Sequence, residues 1–383
     1  MTIYEPSEDS YLLEKHIRTY RPVSKSLDMG TGSGIQAKAL SKISGSVIAV
    51  DINPRSIKNA KQECRGLKNI KFLVSDLFKS VPKVAFDLIV FNPPYLPEEK
   101  NIADIALFSK KQGSKTIVEF TSKVNDYLAD EGSVFIIISS LTKQKPVFDC
   151  ISENLLEVKE IEKVHRFFED IILLKIWKSD LQKKLSNLKI TDAKLFAKGK
   201  RGVIIRGKHR AIDIAVKIKK STSTAPGTIE NEARFLEILN KSNIGPTLIM
   251  WNEKMLIYRF VEGIFINEFI LTNQKNDILE VIGKIIEQLS VMDSLGINKF
   301  EMHHPVKHIL IKNNQPTLID FERCRYTENP KNITQFCDFL CSSKKILSAK
   351  GIDVDDELIR KLAQQYKQTK DGSKIELILK SLQ

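Results

Sequence analysis

Apolar runs alternate with amphipathic stretches through the first 178 residues of the chain. The runs are short and bounded by turn residues, which predicts strands, and the stretches between them have the roughly 3.6-residue period of helices. Helices are predicted over 8–18, where Ser7 can cap, and over about 116–130. The alternation predicts an α/β fold, a parallel sheet wrapped by helices. Seven strands are predicted, and the last two lie so close in sequence that one should be antiparallel.

A different pattern begins after a charged stretch at 179–189, which is predicted to be a linker. Beyond it, β-rich runs come first and amphipathic helices follow, so this half is predicted to have an α+β fold. The segment 228–240 has the apolar spacing of a helix, and 255–263 is predicted to be a strand that leads into a hinge. The chain is therefore predicted to hold two domains, 1–178 and 190–383.

The composition, 42% hydrophobic and 28% charged over 383 residues, is typical of a soluble globular protein. The longest apolar run, 134–138, is too short to span a bilayer, and no signal peptide is recognised at the start. Five cysteines without a C-x-x-C pair fit a reduced, cytoplasmic protein. The net charge of +13 is uneven, with +3 in 1–178 and the rest beyond it. That basic half could contact rRNA or the ribosome, or could be a lysine-rich solvated surface.

Four strand ends in the first half carry residues suited to binding a nucleoside and an amide. The sequence DMGTGSG, from Asp28 to Gly34, joins a strand to a helix, and its glycines let the backbone approach a ligand closely. Asp51 ends the second strand, where a carboxylate can accept both hydroxyls of a ribose. Asp76 ends the third strand, and Asn92 of NPPY ends the fourth, where two prolines stop the sheet. Ligands bind at this edge of open α/β sheets, so a site is predicted there.

The ordered set DMGTGSG, AVDINP, SDLF and NPPY resembles class I S-adenosylmethionine-dependent methyltransferases that modify planar nitrogens. The opening stretch YEPSEDSYLL narrows the resemblance to the glutamine methyltransferases of class I release factors, the HemK/PrmC type in its short archaeal and eukaryotic form. The resemblance covers about residues 3–178. It implies a Rossmann-like sheet, S-adenosylmethionine as cofactor and a glutamine of a translation release factor as substrate. Members of this family often need a small activator subunit.

The resemblance also implies residue roles. Asn92 and the carbonyl of Pro93 would accept hydrogen bonds from the target –NH₂, and Tyr95 would pack on the flat face of the amide. Such acceptors orient a poorly nucleophilic nitrogen and stabilise the charge that develops on it. Asp51 would hold the ribose, and Asp76 with Leu77 the adenine. The full cofactor-binding set that it implies is Pro6, Glu8, Ser10, Asp28, Gly30, Gly32, Gly34, Asp51, Asp76, Leu77 and Asn92.

The loop after NPPY departs from the family pattern. Residues 96–115 lack the tryptophan and the paired glycines expected there, and this loop should touch the substrate. The departure leaves the cofactor prediction intact but opens the identity of the substrate. Adenine- and guanine-amino methyltransferases share NPPY, so a methyltransferase of rRNA, tRNA or DNA bases is the alternative hypothesis.

The second half resembles the protein-kinase-like fold, and within it the small atypical archaeal kinases. The resemblance lies in an ordered set: a glycine turn, Lys217 in AVKI, Glu232 on the predicted helix and Asp320 in LIDFERC. It implies that Lys217 contacts ATP phosphates and pairs with Glu232 in preference to Glu230, and that Asp320 holds Mg²⁺. The implied ATP-binding set is Gly199, Gly202, Lys217, Glu232, His308 and Asp320.

The catalytic loop of this resemblance is unusual. Where H-R-D-x-x-x-x-N is expected the chain has EMHHPVKH, so that His308 stands for the second metal ligand and His303 for the catalytic aspartate. Glu301 is a second candidate base. The sequence is compatible with three interpretations of this loop. They are an active kinase, an ATP-binding or scaffolding pseudokinase that docks the protein to the translation machinery, and a zinc site made by His303, His304 and His308.

Overall fold

The computed structural model describes residues 5–93, 114–199, 202–219 and 228–382. The chain divides into two units, Met1–Leu195 and Phe196–Gln383. Seven strands form one sheet in the first unit, and five other strands, four of them in the second unit, form another sheet. The strand-helix alternation read from the sequence belongs to the first unit.

The seven strands of the first unit are β1 Val23–Met29, β2 Ser44–Asp51, β3 Ile70–Val74, β4 Phe86–Phe91, β5 Leu128–Ser139, β6 Leu156–His165 and β7 Asp170–Lys178. Their order in the sheet is β3-β2-β1-β4-β5-β7-β6. The pairs from β3 to β5 are parallel, whereas β7 is antiparallel to both of its neighbours. The predicted seven-stranded, mostly parallel sheet with one antiparallel strand is thus confirmed.

Helices lie between these strands, and their ends follow local chemistry. α1 has Glu8 and Asp9 in its first turn and basic residues in its last turn, which complements the helix dipole. α3 has Pro54 in its first turn, and the Asn53 side chain accepts from a backbone N–H. The helices are α1 Glu8–Arg18, α2 Ile35–Ser41, α3 Pro54–Glu63, α4 over 114–123 of the described residues, α5 Gln144–Glu153 and α6 Asp180–Asn187.

Two segments differ from the sequence prediction. The helix predicted over 116–130 ends at 123 and is followed by a 3-10 turn, Val124–Asp126. Tyr127 then stacks on Phe78 with ring centroids 4.4 Å apart, and β5 begins at Leu128. The backbone carbonyl of Tyr127 accepts from the N–H of Phe86, which brings this turn to the start of β4. The predicted linker contains helix α6, which the hydroxyl of Ser179 caps by accepting from the N–H of Gln182 at 3.1 Å.

The strand β8 Ile190–Lys198 contains the boundary between the two units. It is followed by β9 Gly202–His209, β10 Ile212–Lys219, α7 Thr228–Leu239, β11 Leu248–Asn252 and β12 Met255–Arg259. These five strands form a sheet in the order β11-β12-β10-β9-β8. The pairs β9–β10, β10–β12 and β11–β12 are antiparallel. Lys217 therefore stands on the central strand of this sheet.

The remainder of the second unit is mostly helical. Its elements are β13 Ile264–Phe265, α8 Ile266–Thr272, α9 Lys275–Ser294, β14 Ile297–Asn298, β15 Ile309–Lys312, β16 Gln315–Leu318, β17 Arg325–Tyr326, α10 Asn332–Ser342, α11 Lys344–Ser348, α12 Asp356–Thr369 and α13 Gly372–Ser381. One apolar cluster packs α7, α9, α10 and the β15–β16 hairpin together, with Ile285, Phe321 and Phe336 fully buried. Among the described residues no helix is long and apolar enough to cross a membrane.

Candidate functional site

The turn after β1 is built from glycines that no other residue would replace without strain. Gly30, Gly32 and Gly34 have φ angles of 71°, 50° and 88°, in the left-handed region. A Cβ on Gly34 would lie 3.1 Å from Ala60, and one on Gly30 would lie 3.4 Å from the ring of Phe91. A Cβ on Gly32 would meet only a backbone oxygen at 3.9 Å. Two of the glycines therefore serve packing as well as backbone conformation, and Gly32 has space beside it.

Asp51, at the end of β2, is tied to this turn. Its Oδ2 accepts from the N–H of Gly32 at 2.9 Å, and its Oδ1 accepts from the N–H of Asn53 at 2.8 Å. A carboxylate oxygen has two acceptor sites, so each can still accept a ribose hydroxyl. The structure thus gives Asp51 a second role, holding the glycine turn in shape, that sequence reasoning did not predict.

Asp28 is a buried group. Its Oδ2 accepts from the hydroxyl of Thr31 at 2.6 Å, and only 1% of the residue is exposed. Burial raises the pKa of Asp28 to about 7, the Thr31 hydrogen bond opposes that rise, and the charge of Asp51 adds to it. Asp28 therefore supports the turn from beneath.

Asp76 and Leu77 follow β3. Asp76 is partly exposed, and its Oδ2 accepts from Lys79 Nζ at 2.6 Å. Leu77 has a φ of 47°, which is unusual for a branched side chain, and its carbonyl accepts from the Ser75 hydroxyl at 2.7 Å. A non-glycine residue held in the left-handed region is a feature that often marks a functional turn.

Asn92 follows β4 directly and lies at the edge of the sheet where β1 and β2 also end. Its Nδ2 donates to the Ser10 hydroxyl over a long 3.4 Å, and its Oδ1 is buried with no hydrogen-bond partner among the described residues. Ser10 is itself buried, and its carbonyl accepts from Gln36 Nε2 at 2.7 Å. The start of α1 is thus connected to Asn92 and to α2.

The remaining predicted residues of this half are placed as follows. Glu8 is on the surface, where its Oε2 accepts from Arg166 Nε at 2.8 Å. Pro6 precedes α1 in an irregular segment, and Pro93 is buried immediately after Asn92. Tyr95 and most of the 96–115 loop lie outside the described residues. The structure therefore brings together the ends of β1, β2 and β4 with the start of α1.

Comparison with known proteins shows which family of proteins this sheet and its polar edge belong to. The family of the methyltransferase small domain matches residues 7–168. A putative protein N5-glutamine methyltransferase of Methanocaldococcus jannaschii is 33% identical over 183 residues, 46% of this chain and 92% of that relative. The chain belongs to this methyltransferase family. Its first unit is an S-adenosylmethionine-dependent methyltransferase, as the sequence predicted.

Other relatives cover less of their own length or are more distant. A release factor glutamine methyltransferase of Fusobacterium nucleatum is 30% identical over 186 residues, 44% of this chain and 52% of that relative. The chain thus spans about half the length of that protein. A solved Mtq2–Trm112 complex of E. cuniculi, responsible for methylation of the eRF1 translation termination factor, is 23% identical. The match covers 47% of this chain and 100% of the chain in that structure, with a TM-score of 0.37.

Outside the methyltransferase unit, a second cluster of charged residues surrounds Lys217. Lys217 Nζ donates to Glu232 Oε2 at 2.6 Å and to Asp320 Oδ1 at 2.9 Å, and Glu322 Oε2 lies 3.5 Å away. Glu232 is buried, whereas Glu230 pairs with Arg234 on the surface. Oxygens of Glu232, Asp320 and Glu322 lie within 4.8 Å of one another, close enough to share a metal ion.

Burial and charge shift the pKa values of this cluster in different directions. Burial lowers the pKa of Lys217, but the charges of Glu232 and Asp320 outweigh burial and leave it raised. Burial raises the pKa of Asp320, and Lys217 followed by Lys299 brings it below its ordinary value. Burial raises the pKa of Glu232, against the opposing charge of Lys217. Lys217 therefore favours the charged form of Asp320, whereas at Glu232 burial outweighs the attraction of the lysine and leaves the pKa raised.

His308 lies beside the cluster. Its Nδ1 is 3.9 Å from Asp320 Oδ2 and is buried without a hydrogen-bond partner among the described residues. Burial, and then the charge of Lys299, lowers its pKa. His303 is exposed, and its ring lies near the Phe300 carbonyl and the ring of His304. The group of possible metal ligands found in the described part of the chain contains none of His303, His304 and His308.

The predicted glycine turn between β8 and β9 is explained in part by packing. A Cβ on Gly202 would lie 2.4 Å from the carbonyl oxygen of Ile218, so close pairing with β10 requires glycine there. Gly199 donates its N–H to the carbonyl of Gly202 at 2.9 Å. Residues 200–201, at the tip of the turn, lie outside the described residues.

Several residues of both clusters were not predicted. Lys299 is fully buried and donates to the backbone carbonyl of Asp320, and Glu322 occupies the position after Phe321. Thr31 and Gln36 support the methyltransferase site. The only sequence signal for Glu322 was its place two residues after Asp320. No motif or spacing in the sequence pointed to Lys299, Thr31 or Gln36.

Proposed function

We propose that the first unit methylates a planar amide nitrogen, the side chain of a glutamine in a peptide-chain release factor. The observation that carries this proposal is the buried, unpartnered Oδ1 of Asn92 at the edge of the sheet. A buried acceptor without a donor costs about 1–3 kcal/mol, so such atoms call for an explanation. An –NH₂ group of a substrate placed there would supply the missing donor.

The chemistry needs acceptors more than it needs a base. An amide nitrogen is a weak nucleophile because its lone pair is delocalised into the carbonyl. Acceptance of both N–H bonds, by Asn92 Oδ1 and by the Pro93 carbonyl, would raise the electron density on nitrogen and aim its lone pair. It would also stabilise the positive charge that develops as the new bond forms. Tyr95 is proposed to pack on the flat face of the same amide.

The residues of the first unit fit S-adenosylmethionine, which supplies an electrophilic methyl group when bound. The left-handed glycine turn leaves space beside Gly32, and Asp51 keeps acceptor capacity for two ribose hydroxyls. Asp76 and the backbone at Leu77 are proposed to bind the adenine. Ser10, with Pro6 and Glu8 on the same stretch, is proposed to cover the cofactor from the start of α1.

The names of the relatives support a protein substrate, since they are N5-glutamine and release factor glutamine methyltransferases. The test is mass spectrometry after incubation with isotopically labelled cofactor, using the release factor of the source organism and its total RNA in parallel. Label on a glutamine of the release factor is the expected result. Label on a nucleobase, with none on the protein, would replace this proposal with base methylation.

We also propose that the second unit binds ATP with Mg²⁺ through the Lys217 cluster. Lys217, Glu232 and Asp320 come together from a central strand, a helix and the turn after β16, as nucleotide binding in a kinase-like fold would require. Lys217 is already surrounded by three carboxylates. Phosphates would be repelled by these carboxylates unless a divalent cation entered with them, so we expect binding to depend on the metal.

Thermal-shift titration of the full chain tests this second proposal. ATP with Mg²⁺ should stabilise the protein, ATP without the metal should not, and Asp320→Ala should abolish the shift. Asp51→Ala, which lies in the methyltransferase unit, is the matched control and should keep it. Absence of a shift at millimolar ATP would leave a scaffold domain, and a shift without phosphate transfer would indicate a pseudokinase. A small activator subunit and an RNA contact of the basic half stay predictions.

A further inference from the structure

The β6–β7 hairpin of the methyltransferase unit ends in two exposed phenylalanines. Phe167 is 91% exposed and Phe168 is 83% exposed. Their rings contact each other edge to face, with centroids 4.7 Å apart. The N–H of Arg166 donates to the carbonyl of Glu169 at 2.8 Å, so the two phenylalanines are the central residues of a two-residue loop.

This loop has unfavourable turn chemistry for a hairpin. Two-residue hairpin loops favour Asn-Gly or Gly-containing pairs in left-handed conformations, yet neither Phe167 nor Phe168 has a positive φ. Neither ring gains burial to offset exposing so much apolar area. Departures from local rules without a packing gain are expected at positions that serve function.

The tip, defined as residues 165–170, lies at the same edge of the sheet as the proposed site. Ser139, the last residue of β5, pairs with Ile171 near the start of β7, which puts the tip at the C-terminal ends of the parallel strands. The N–H of Asp170 donates to the Ser140 hydroxyl at 2.9 Å, and Ser139 donates to the side chain of Glu169. The tip is therefore fastened to the end of β5.

Arg166 connects the tip to the start of α1. Its guanidinium donates to Glu8 Oε2 at 2.8 Å and to the Ser7 hydroxyl at 3.3 Å. Ser10, on the same turn of chain, contacts Asn92. The two rings are thus presented at a fixed place beside the stretch that leads to the proposed acceptor.

The charges around the tip favour a polypeptide over a nucleic acid. Lys163 and His165 both pair with Asp170, at 2.6 Å and 2.7 Å, and Arg166 pairs with Glu8. Proteins that stack bases on aromatic rings place unneutralised cations alongside to follow the phosphates. Lys163 and Arg166 are each already paired with a carboxylate, and apolar rings among paired charges suit an apolar patch on a protein.

We propose that Phe167 and Phe168 dock the polypeptide substrate, contacting an apolar surface patch of the folded protein that lies outside the short sequence around the target glutamine. This inference rests on the proposed function of the first unit and adds the surface that recognises the protein. Contacts remote from the reacting nitrogen are made equally in the ground state and the transition state. They should therefore affect KM for the intact protein and leave kcat unchanged.

The test is steady-state methylation by the full chain with the double substitution Phe167→Ser and Phe168→Ser. With the intact release factor, KM should rise about tenfold or more, the order expected when two apolar side chains lose their contacts, with kcat within about twofold. With a ten-residue peptide carrying the same glutamine, KM should not change. Phe148→Ser, on α5 and 36% exposed, is the control and should behave as wild type.

Further outcomes separate the two proposals. The double substitution Phe167→Leu and Phe168→Leu keeps apolar side chains at the tip. If the tip docks the substrate, this variant should have a KM for the release factor close to that of wild type, a recovery that a purely structural role of the turn does not predict. Equal KM values for wild type and the double-serine variant on the release factor would overturn docking while the proposed function stood. A rise in KM for RNA instead would show nucleic-acid docking, and no methylation of the release factor by wild type would overturn both proposals.

Discussion

The two polar clusters of this protein are satisfied in opposite ways. Asn92 has a buried Oδ1 without a donor in the described part of the chain, and its Nδ2 reaches Ser10 only at 3.4 Å. Lys217, by contrast, donates at 2.6 Å and 2.9 Å to two carboxylates and has a third at 3.5 Å. The first cluster has an acceptor to offer, and the second is held together by its own ion pairs.

This difference indicates what each cluster depends on. An acceptor that is unpaired in the free protein contributes nothing favourable to folding, so its removal should affect turnover and leave stability almost unchanged. A buried cation between carboxylates is different, because its removal leaves like charges facing each other without compensation. Removing the Asn92 side chain should therefore lower turnover without affecting the stability of the first unit. Removing the Lys217 side chain should lower the stability of the second unit itself.

The largest expected effect is on the stability of the second unit. Lys217→Met should lower its free energy of unfolding by about 3–5 kcal/mol, the usual cost of removing one partner of a buried ion pair. Chemical denaturation at pH 7, followed by a probe of the second unit, measures this. Lys254→Met, at an exposed lysine of the β11–β12 turn, is the control and should be neutral. A small change for Lys217→Met would mean that the cluster does not hold the fold together.

The next effect is catalytic. Asn92→Ala should lower kcat about 10²–10³-fold, the range seen when one group that stabilises a transition state is lost, while cofactor affinity and stability are retained. Asn125→Ala is a matched control, because its Oδ1 is also buried and unpartnered but its Nδ2 donates to the backbone of Asn154 at 2.6 Å. That control should lose stability and keep kcat. Turnover within a few-fold of wild type in Asn92→Ala would remove the acceptor mechanism.

A smaller effect should appear in cofactor binding. Asp51→Ala should weaken S-adenosylmethionine binding by about 2–3 kcal/mol, because two charge-assisted hydrogen bonds to the ribose are lost. The variant also loses the bonds that Asp51 makes to the N–H groups of Gly32 and Asn53. Asp51→Asn keeps an acceptor for one of them and should lie between. Titration calorimetry measures both variants, and unchanged affinity in Asp51→Ala would exclude this residue from the site.

The first unit could be predicted closely because its signals are local. The glycine turn, the acidic residues and NPP each follow a predicted strand. Because parallel strands all end at the same edge of a sheet, these residues are placed together whatever the details of packing. The antiparallel β7 followed from the short connection before it. The end of α4 was predicted wrongly, since the segment after it carries Tyr127, which stacks on Phe78. That contact joins residues 49 positions apart in the chain and leaves no local signal.

The second unit shows what local signals leave out. Asp320 and Glu232 were singled out by order in the sequence, but the position of Lys299 beneath Asp320 arises from three-dimensional packing. Gly202 was predicted as part of a ligand turn, and the structure shows in addition that close pairing with β10 requires glycine there. Sequence spacing cannot distinguish a glycine that approaches a ligand from one that approaches a neighbouring strand.

The smallest expected effect concerns Asp76, and it tests how far the first cluster extends along the sheet edge. Asp76 is partly exposed and pairs with Lys79, so a hydrogen bond to adenine would be made in competition with water and with that lysine. Asp76→Ala should therefore weaken cofactor binding by only about 1 kcal/mol, roughly fivefold. Lys79→Ala should leave affinity unchanged or improve it, because the carboxylate becomes free to bind. If both variants lost cofactor affinity equally, the Asp76–Lys79 ion pair would be stabilising the turn at Leu77, and the backbone of that turn would make the contact with adenine.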